Sequence, residues 1–231
     1  MHLPPLVPGT LLKRYQRFLA DVRLSDGTMV TAHCPNSGSM RGCAIPGSPV
    51  WLSRHEAPSR RYPYTWELVS VGGVMVAINT SFPNRLVREG IQDGFFPSLA
   101  GYDTIRSEVP YGREGSRIDL LLQGGRGRCW IEIKSVTLVE GGRALFPDAV
   151  TTRGQKHLRE LREMVRQGDR GVVIFVVPRA DGEGVSPADA IDPAYGTLLR
   201  DVAREGVELL ACRARVSTGE ITLSELLPLF L

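Results

Sequence analysis

Two stretches decide how this chain is read: Ser116-Arg117-Ile118-Asp119-Leu120-Leu121-Leu122 and Cys129-Trp130-Ile131-Glu132-Ile133-Lys134-Ser135. Each is an apolar strand interrupted by charge, and Gly124-Gly125 with Gly127 marks a turn between them. Side chains alternate along a strand, so Glu132 and Lys134 share a face. If the two strands form a hairpin, Asp119 converges on the same place. Charge buried without compensation is costly, so interior strands would not carry it idly. Two carboxylates at one edge make a hard oxygen site suited to Mg²⁺ or Mn²⁺. The main-chain carbonyl of Ile133 is a candidate further ligand, and Glu108 on the preceding strand a candidate further acid. A cation held there binds a scissile phosphate and lowers the pKa of a bound water. Lys134 can orient that water and stabilise charge on the phosphorane. Gln155 and Lys156 open the following helix, and a helix packed on this sheet can aim them at the same site. The competing reading of an acid-x-Lys strand is a solvated cross-strand ion pair.

Outward from this centre, the chain changes character near residue 80. Residues 1–80 read as short strands with turn punctuation. Leu11 to Leu24 is one extended candidate, Ser25-Asp26-Gly27 a turn, and Met29 to His33 can pair back. After a Pro-, Gly-, Ser- and Asn-rich loop come Val50 to Leu52, then Tyr64 to Val71 and Val74 to Asn79 flanking Gly72-Gly73. This pattern predicts a small barrel or sandwich. From residue 81 the order is α/β: a helix over 84–91, strands over 107–109, 117–122 and 129–136, and a helix over 151–167. A strand over 171–177 that is apolar on both faces follows, then a helix over 193–205 and a strand over 207–212.

Composition narrows the function. The formal net charge is only +3, and of 28 Lys and Arg only Lys13, Lys134 and Lys156 are lysine. Residues 1–80 carry 8 Lys and Arg against 4 Asp and Glu, while the remainder is near neutral. The longest uninterrupted apolar run, Val172 to Val177, is too short to span a membrane. The proline-containing start does not read as a signal peptide, so a cytoplasmic protein is expected. Cys34, Cys43, Cys129 and Cys212 contain no CxxC pair and read as buried thiols. His33 beside Cys34 lacks a second ligand pair at metal spacing.

The segments GTLLKRYQRFLADV, HCPNSGSMRGC, YPYTWELV, RSEVPYG, SRIDLLL, WIEIKSVTL and FPDAVTTRGQKHLREL resemble the sugar fermentation stimulation protein A family. The resemblance implies an N-terminal OB-like β-barrel over 1–80 and a restriction-endonuclease-like α/β domain of the PD-(D/E)xK type over 81–231. It also implies non-specific DNA binding and a regulatory part in maltose metabolism. In its terms Asp119 is the motif's Asp, Glu132 its second acid and Lys134 its lysine, while Gln155 and Lys156 match the supporting helix. Ile118 stands where the motif has Pro.

An OB-like barrel holds nucleic acid with cations for phosphates and aromatics for bases. Lys13, Tyr15 and Arg17 would share the binding face of a strand, with Arg14, Gln16 and Phe18 on the other. Arg41, Arg60 and Arg61 are further phosphate candidates. Tyr15, Phe18 and Trp51 read more readily as barrel core than as base-stacking rings. With no recognition helix, backbone contacts to DNA predict strong salt dependence and little sequence preference, with RNA a second possible partner. Three functions compete at this point: a metal-dependent nuclease, a non-cleaving DNA-binding regulator, and a protein-interaction scaffold.

Overall fold

The computed structural model describes residues 1–56, 60–112 and 115–231. Strands β1 (Leu6–Tyr15) and β2 (Leu19–Leu24) pair antiparallel. Gln16 and Arg17, with φ of 50° and 66°, turn the chain between them. Two successive positive φ values match the right-handed twist of a hairpin. The expected single extended run from Leu11 to Leu24 is therefore two strands. Arg17 stands at the hairpin tip, not on a face with Lys13 and Tyr15.

β3 (Met29–His33) pairs with β2, β4 (Pro49–Arg54) with β1, and β5 (Tyr64–Val71) with β4. A short parallel pairing, Ala32 with Tyr64 and His33 with Thr65, joins β3 to β5. It closes a five-stranded barrel, which settles barrel against sandwich. β6 (Val74–Ala77) extends the sheet through the expected Gly72-Gly73 turn. Leu11, Val22, Leu52 and Trp66 fill the interior, and Trp66 Nε1 donates to the Leu68 carbonyl at 2.9 Å. Trp66 is fully buried. Trp66→Ala should therefore cost about 3–5 kcal/mol, read as a lowered midpoint in urea unfolding. His33 is exposed while Cys34 is buried, so the two do not form a ligand pair. All four cysteines are buried free thiols.

The second half contains α1 (Phe82–Gln92), β7 (Thr104–Tyr111), β8 (Ser116–Gly124), β9 (Gly127–Ser135), α2 (Thr152–Arg166), β12 (Arg170–Val177), α3 (Pro193–Arg204), β14 (Glu208–Val216) and β15 (Ile221–Leu226). Numbers β10 and β11 belong to a hairpin, Leu138–Glu140 and Arg143–Phe146, and β13 to Gly184–Pro187. A six-stranded mixed sheet runs in the order β15-β14-β12-β9-β8-β7. β12 sits between parallel neighbours β9 and β14. Its Val173, Phe175 and Val177 join the core that also holds α2 and α3 residues. Val172, Ile174 and Val176 join the core that holds α1 residues and barrel residues Leu68 and Ala77. A strand covered on both faces is apolar at every position. The three-stranded sheet β10-β11-β13 and the edge strand β15 are additions to the expected order.

Candidate functional site

β8 and β9 form the expected antiparallel hairpin, in register from Gly124 opposite Gly127 to Leu120 opposite Ile131. Beyond that point the ladder stops. The carboxylate of Asp119 takes over as acceptor, receiving the N–H of Ile133 at Oδ2 (2.7 Å) and the amide of Asn84 at Oδ1 (2.9 Å). Asn84 reaches Asp119 because it lies on the first turn of α1, just after the barrel ends.

Glu132 is 3% exposed. Its Oε1 receives Lys134 Nζ at 2.6 Å and also contacts Nδ1 of His157 on α2. Its Oε2 is buried and has no hydrogen-bond partner. A buried carboxylate oxygen left bare is costly unless something else binds it. One oxygen is pinned by two donors and the other has no protein partner, in a cavity that Asp119 also lines, which is the donor chemistry a hard cation takes. Among the described residues, no three His, Cys, Asp or Glu side chains group closely enough to hold a metal alone. The fit is thus two carboxylates, completed by main-chain oxygen, water or substrate.

Electrostatics divides the two acids. Burial, and then the charge of Glu132, raises the Asp119 carboxyl to about 6. For Glu132 burial also opposes the charged form, but Lys134 and His157 outweigh it and hold its pKa below the ordinary range. Two carboxylates that share one buried site separate in this way when one of them holds the stronger donors.

The acids lie in a cavity of about 330 Å³ between the two halves of the chain. Asn36 to Gly38 of the barrel loop form one wall; Phe146, Asp148 and Thr151 form the opposite wall, and Arg153 and His157 contribute from α2. Lys134 and Ile133 line it. Glu108 does not. It falls at a skipped step of the β7–β8 ladder, between Ser107 opposite Leu120 and Val109 opposite Ile118, where its φ of 55° breaks the strand alternation, and the residue is exposed.

Gln155 and Lys156 are also outside the cavity lining. Gln155 donates to Asp192, which caps α3 by accepting the Tyr195 N–H, so Gln155 ties α2 to α3. The expectation that this pair aims at the acids gives way to Arg153 and His157. Arg153 and His157 are four residues apart and so share a helix face, whereas Gln155, two positions from each, is turned from it. Arg153 Nε donates to His157 Nε2 at 3.4 Å. The sequence signal for His157 was its position beside Leu158 and four residues before Leu161, on the buried face of α2.

The nucleic-acid candidates separate as well. Lys13 pairs with Asp21 at 3.3 Å and lies over the Tyr15 ring, while the Tyr15 hydroxyl donates to Asp21. Arg14 spends its guanidinium on the carbonyls of Arg17, Asn36, Gly38 and Ser39, bracing the barrel loop. Arg17 is exposed at the hairpin tip. Arg41 pairs with Glu140 across to β10 at 3.6 Å. Arg60 and Arg61 are exposed, next to residues 57–59 outside the described segments, and line none of the cavities near the acids.

Comparison with known proteins adds the following. The model of the SfsA N-terminal OB domain matches residues 12–78, and that of the sugar fermentation stimulation protein RE domain matches residues 81–220. The sugar fermentation stimulation protein homolog of Geobacter metallireducens is 67% identical over 232 residues, covering 100% of both chains. That of Geobacter sulfurreducens is 66% identical over 229 residues, covering 99% of this chain and 98% of its own. A solved structure of Pyrococcus furiosus SfsA in complex with Ca²⁺ is similar over 100% of this chain and 98% of that one, with 28% identity and a TM-score of 0.92.

Proposed function

The chain belongs to the sugar fermentation stimulation protein family, and from that premise we propose that it binds DNA through the phosphate backbone and processes it at a divalent-cation site. The observation that carries this reading is the bare, buried Oε2 of Glu132, in a cavity that Asp119 and Lys134 also line. Asp119 and Glu132 Oε2 are the side-chain ligands for Mg²⁺ or Mn²⁺, and the Ile133 carbonyl is a candidate third. The bound cation supplies Lewis acidity toward a phosphodiester and a more acidic water. The Pyrococcus relative was solved with Ca²⁺, a cation of the same oxygen-seeking class.

Lys134 has three N–H donors and spends one on Glu132, so it can also meet the phosphoryl oxygens and the attacking water. His157 keeps Glu132 Oε1 engaged, which leaves Oε2 for the cation. The basic barrel supplies phosphate contacts without base readout. No helix among the described residues is long and apolar enough to cross a membrane; the proposal places the protein in the cytoplasm with its DNA.

The test is a panel of duplex, single-stranded and structured DNA and of RNA, with Mg²⁺ and with Mn²⁺, comparing wild type with Asp119→Ala. Cleavage that disappears in the variant while binding survives is the expected result. Binding without cleavage of any substrate leaves a cation-holding DNA-binding protein, in line with the regulatory role that the relatives' name suggests. No binding at low salt overturns the reading.

His157 gives a separate readout. His157→Ala should weaken Mn²⁺ binding about 10–100-fold by titration calorimetry. His157→Asn, whose amide can replace the Nδ1 donor, should retain most of the affinity.

A further inference from the structure

We propose that the strand this site accepts is single-stranded DNA, led to the acids along a trough that begins at the β1–β2 hairpin tip. The inference rests on the DNA reading above and narrows it.

The acids are deep. Glu132 is 3% exposed, and the Lys134 side chain 11%. The walls above them touch each other at one end. Ser39 Oγ donates to the Asp148 carbonyl at 2.8 Å, and the Met40 N–H donates to Asp148 Oδ2 at 2.8 Å. At Gly38 the walls approach so closely that a Cβ would lie 3.6 Å from the Asp148 carboxylate. A duplex is stiff over about 50 nm, and leading one of its backbones into such a pit carries a cost in bending or unpairing. A single strand avoids that cost, because its backbone turns freely between nucleotides.

The path continues beyond the acids. A second cavity of about 320 Å³ shares Ser37, Gly38, Phe146, Asp148 and Thr151 with the first and ends at Arg14 and Arg17. Arg14 is committed to backbone carbonyls. Arg17 forms no ion pair among the described residues and meets solvent. Beside it Phe18 is 50% exposed at the hairpin tip, an aromatic ring with no core to fill. Phe146 lines both cavities. Cations therefore stand at the two ends of the trough, Arg17 and Arg153. The exposed Phe18 ring follows Arg17 at the hairpin tip, and the half-buried Phe146 lies where the two cavities meet. Asp148 disfavours phosphate between them and leaves that stretch to sugar or base. Cations spaced along a groove with rings for stacking are how single strands are held without sequence preference.

The experiment measures binding of the full chain to a labelled oligothymidine and to a DNA duplex of equal length, by fluorescence anisotropy at low salt in EDTA. The single strand should bind at least tenfold tighter. Phe18→Ala, and Arg17→Asn, which suits the positive φ, should each weaken single-strand binding about tenfold and leave the duplex unchanged. Both side chains are exposed, and unchanged circular dichroism would confirm that the variants fold. Duplex binding as tight as single-strand binding overturns the inference while leaving the DNA reading intact. A single-strand preference that neither variant alters also overturns it, because the trough is then not the path. No binding of either oligonucleotide overturns the DNA reading itself.

Discussion

Asp119→Asn is expected to abolish cation binding and, in chelator at pH 8, to make the chain more stable than wild type. Burial and the neighbouring Glu132 charge lift this carboxyl from 3.8 to about 6. A raised acid pKa means that the folded chain holds its proton more tightly than the unfolded one. As pH rises from about 4 to 6, the unfolded state releases the proton first, so this group's contribution to stability falls through that window. Above about pH 6 the full penalty stands, at most about 3 kcal/mol. Asparagine removes the titration. It still accepts the Ile133 N–H, and a flip of the Asn84 amide restores the second hydrogen bond. The gain from Asp119→Asn in urea unfolding should therefore be large at pH 8 and near zero at pH 4. A variant that is less stable than wild type at pH 8 would show that Asp119 is not strained in the folded chain.

Glu132 carries the opposite sign. It is the shared acceptor of Lys134 and His157, both largely buried. Glu132→Ala leaves that largely buried lysine without its ion-pair partner, and removing one partner of a buried pair costs about 3–5 kcal/mol. For a chain of this size the melting temperature should drop by about 10 °C. The double change Glu132→Met with Lys134→Met should recover much of that loss, because both charges leave together. Cation binding disappears in Glu132→Ala as it does in Asp119→Asn. Identical functional loss with opposite stability effects would separate the ligand role from the structural one. Equal stability effects from the two variants would contradict the electrostatic division of the site.

Much of this arrangement was written locally. The Gly72-Gly73 hairpin, the charged hairpin of β8 and β9, the continuous apolar run of β12 and the α2 helix starting after Thr151 are all short-range patterns. Residues a few positions apart determine them, through strand alternation, glycine's access to positive φ, or a capping side chain. Asp119, Glu132 and Lys134 meet because one hairpin holds all three, so the sequence by itself placed them together.

Long-range contacts decided the rest. The barrel closes through two residue pairs between β3 and β5, about 30 positions apart, which no local pattern announces. The β1–β2 turn uses Gln16 and Arg17 at positive φ, without the Gly or Asn that would mark it, and so it read as continuous strand. β10, β11 and β13 are three or four residues each, too short for a period to emerge. The side of α2 that faces the acids depends on how the helix packs between the sheet and α3. Gln155 is drawn to Asp192 and His157 to Glu132. The sequence determined which charged residues stand on the central hairpin. Only packing decided which helix face completes the site, and how a barrel loop and the β11–α2 segment wall it in. Burial energy is pooled over the whole chain, whereas hydrogen-bonded turns are settled between neighbours.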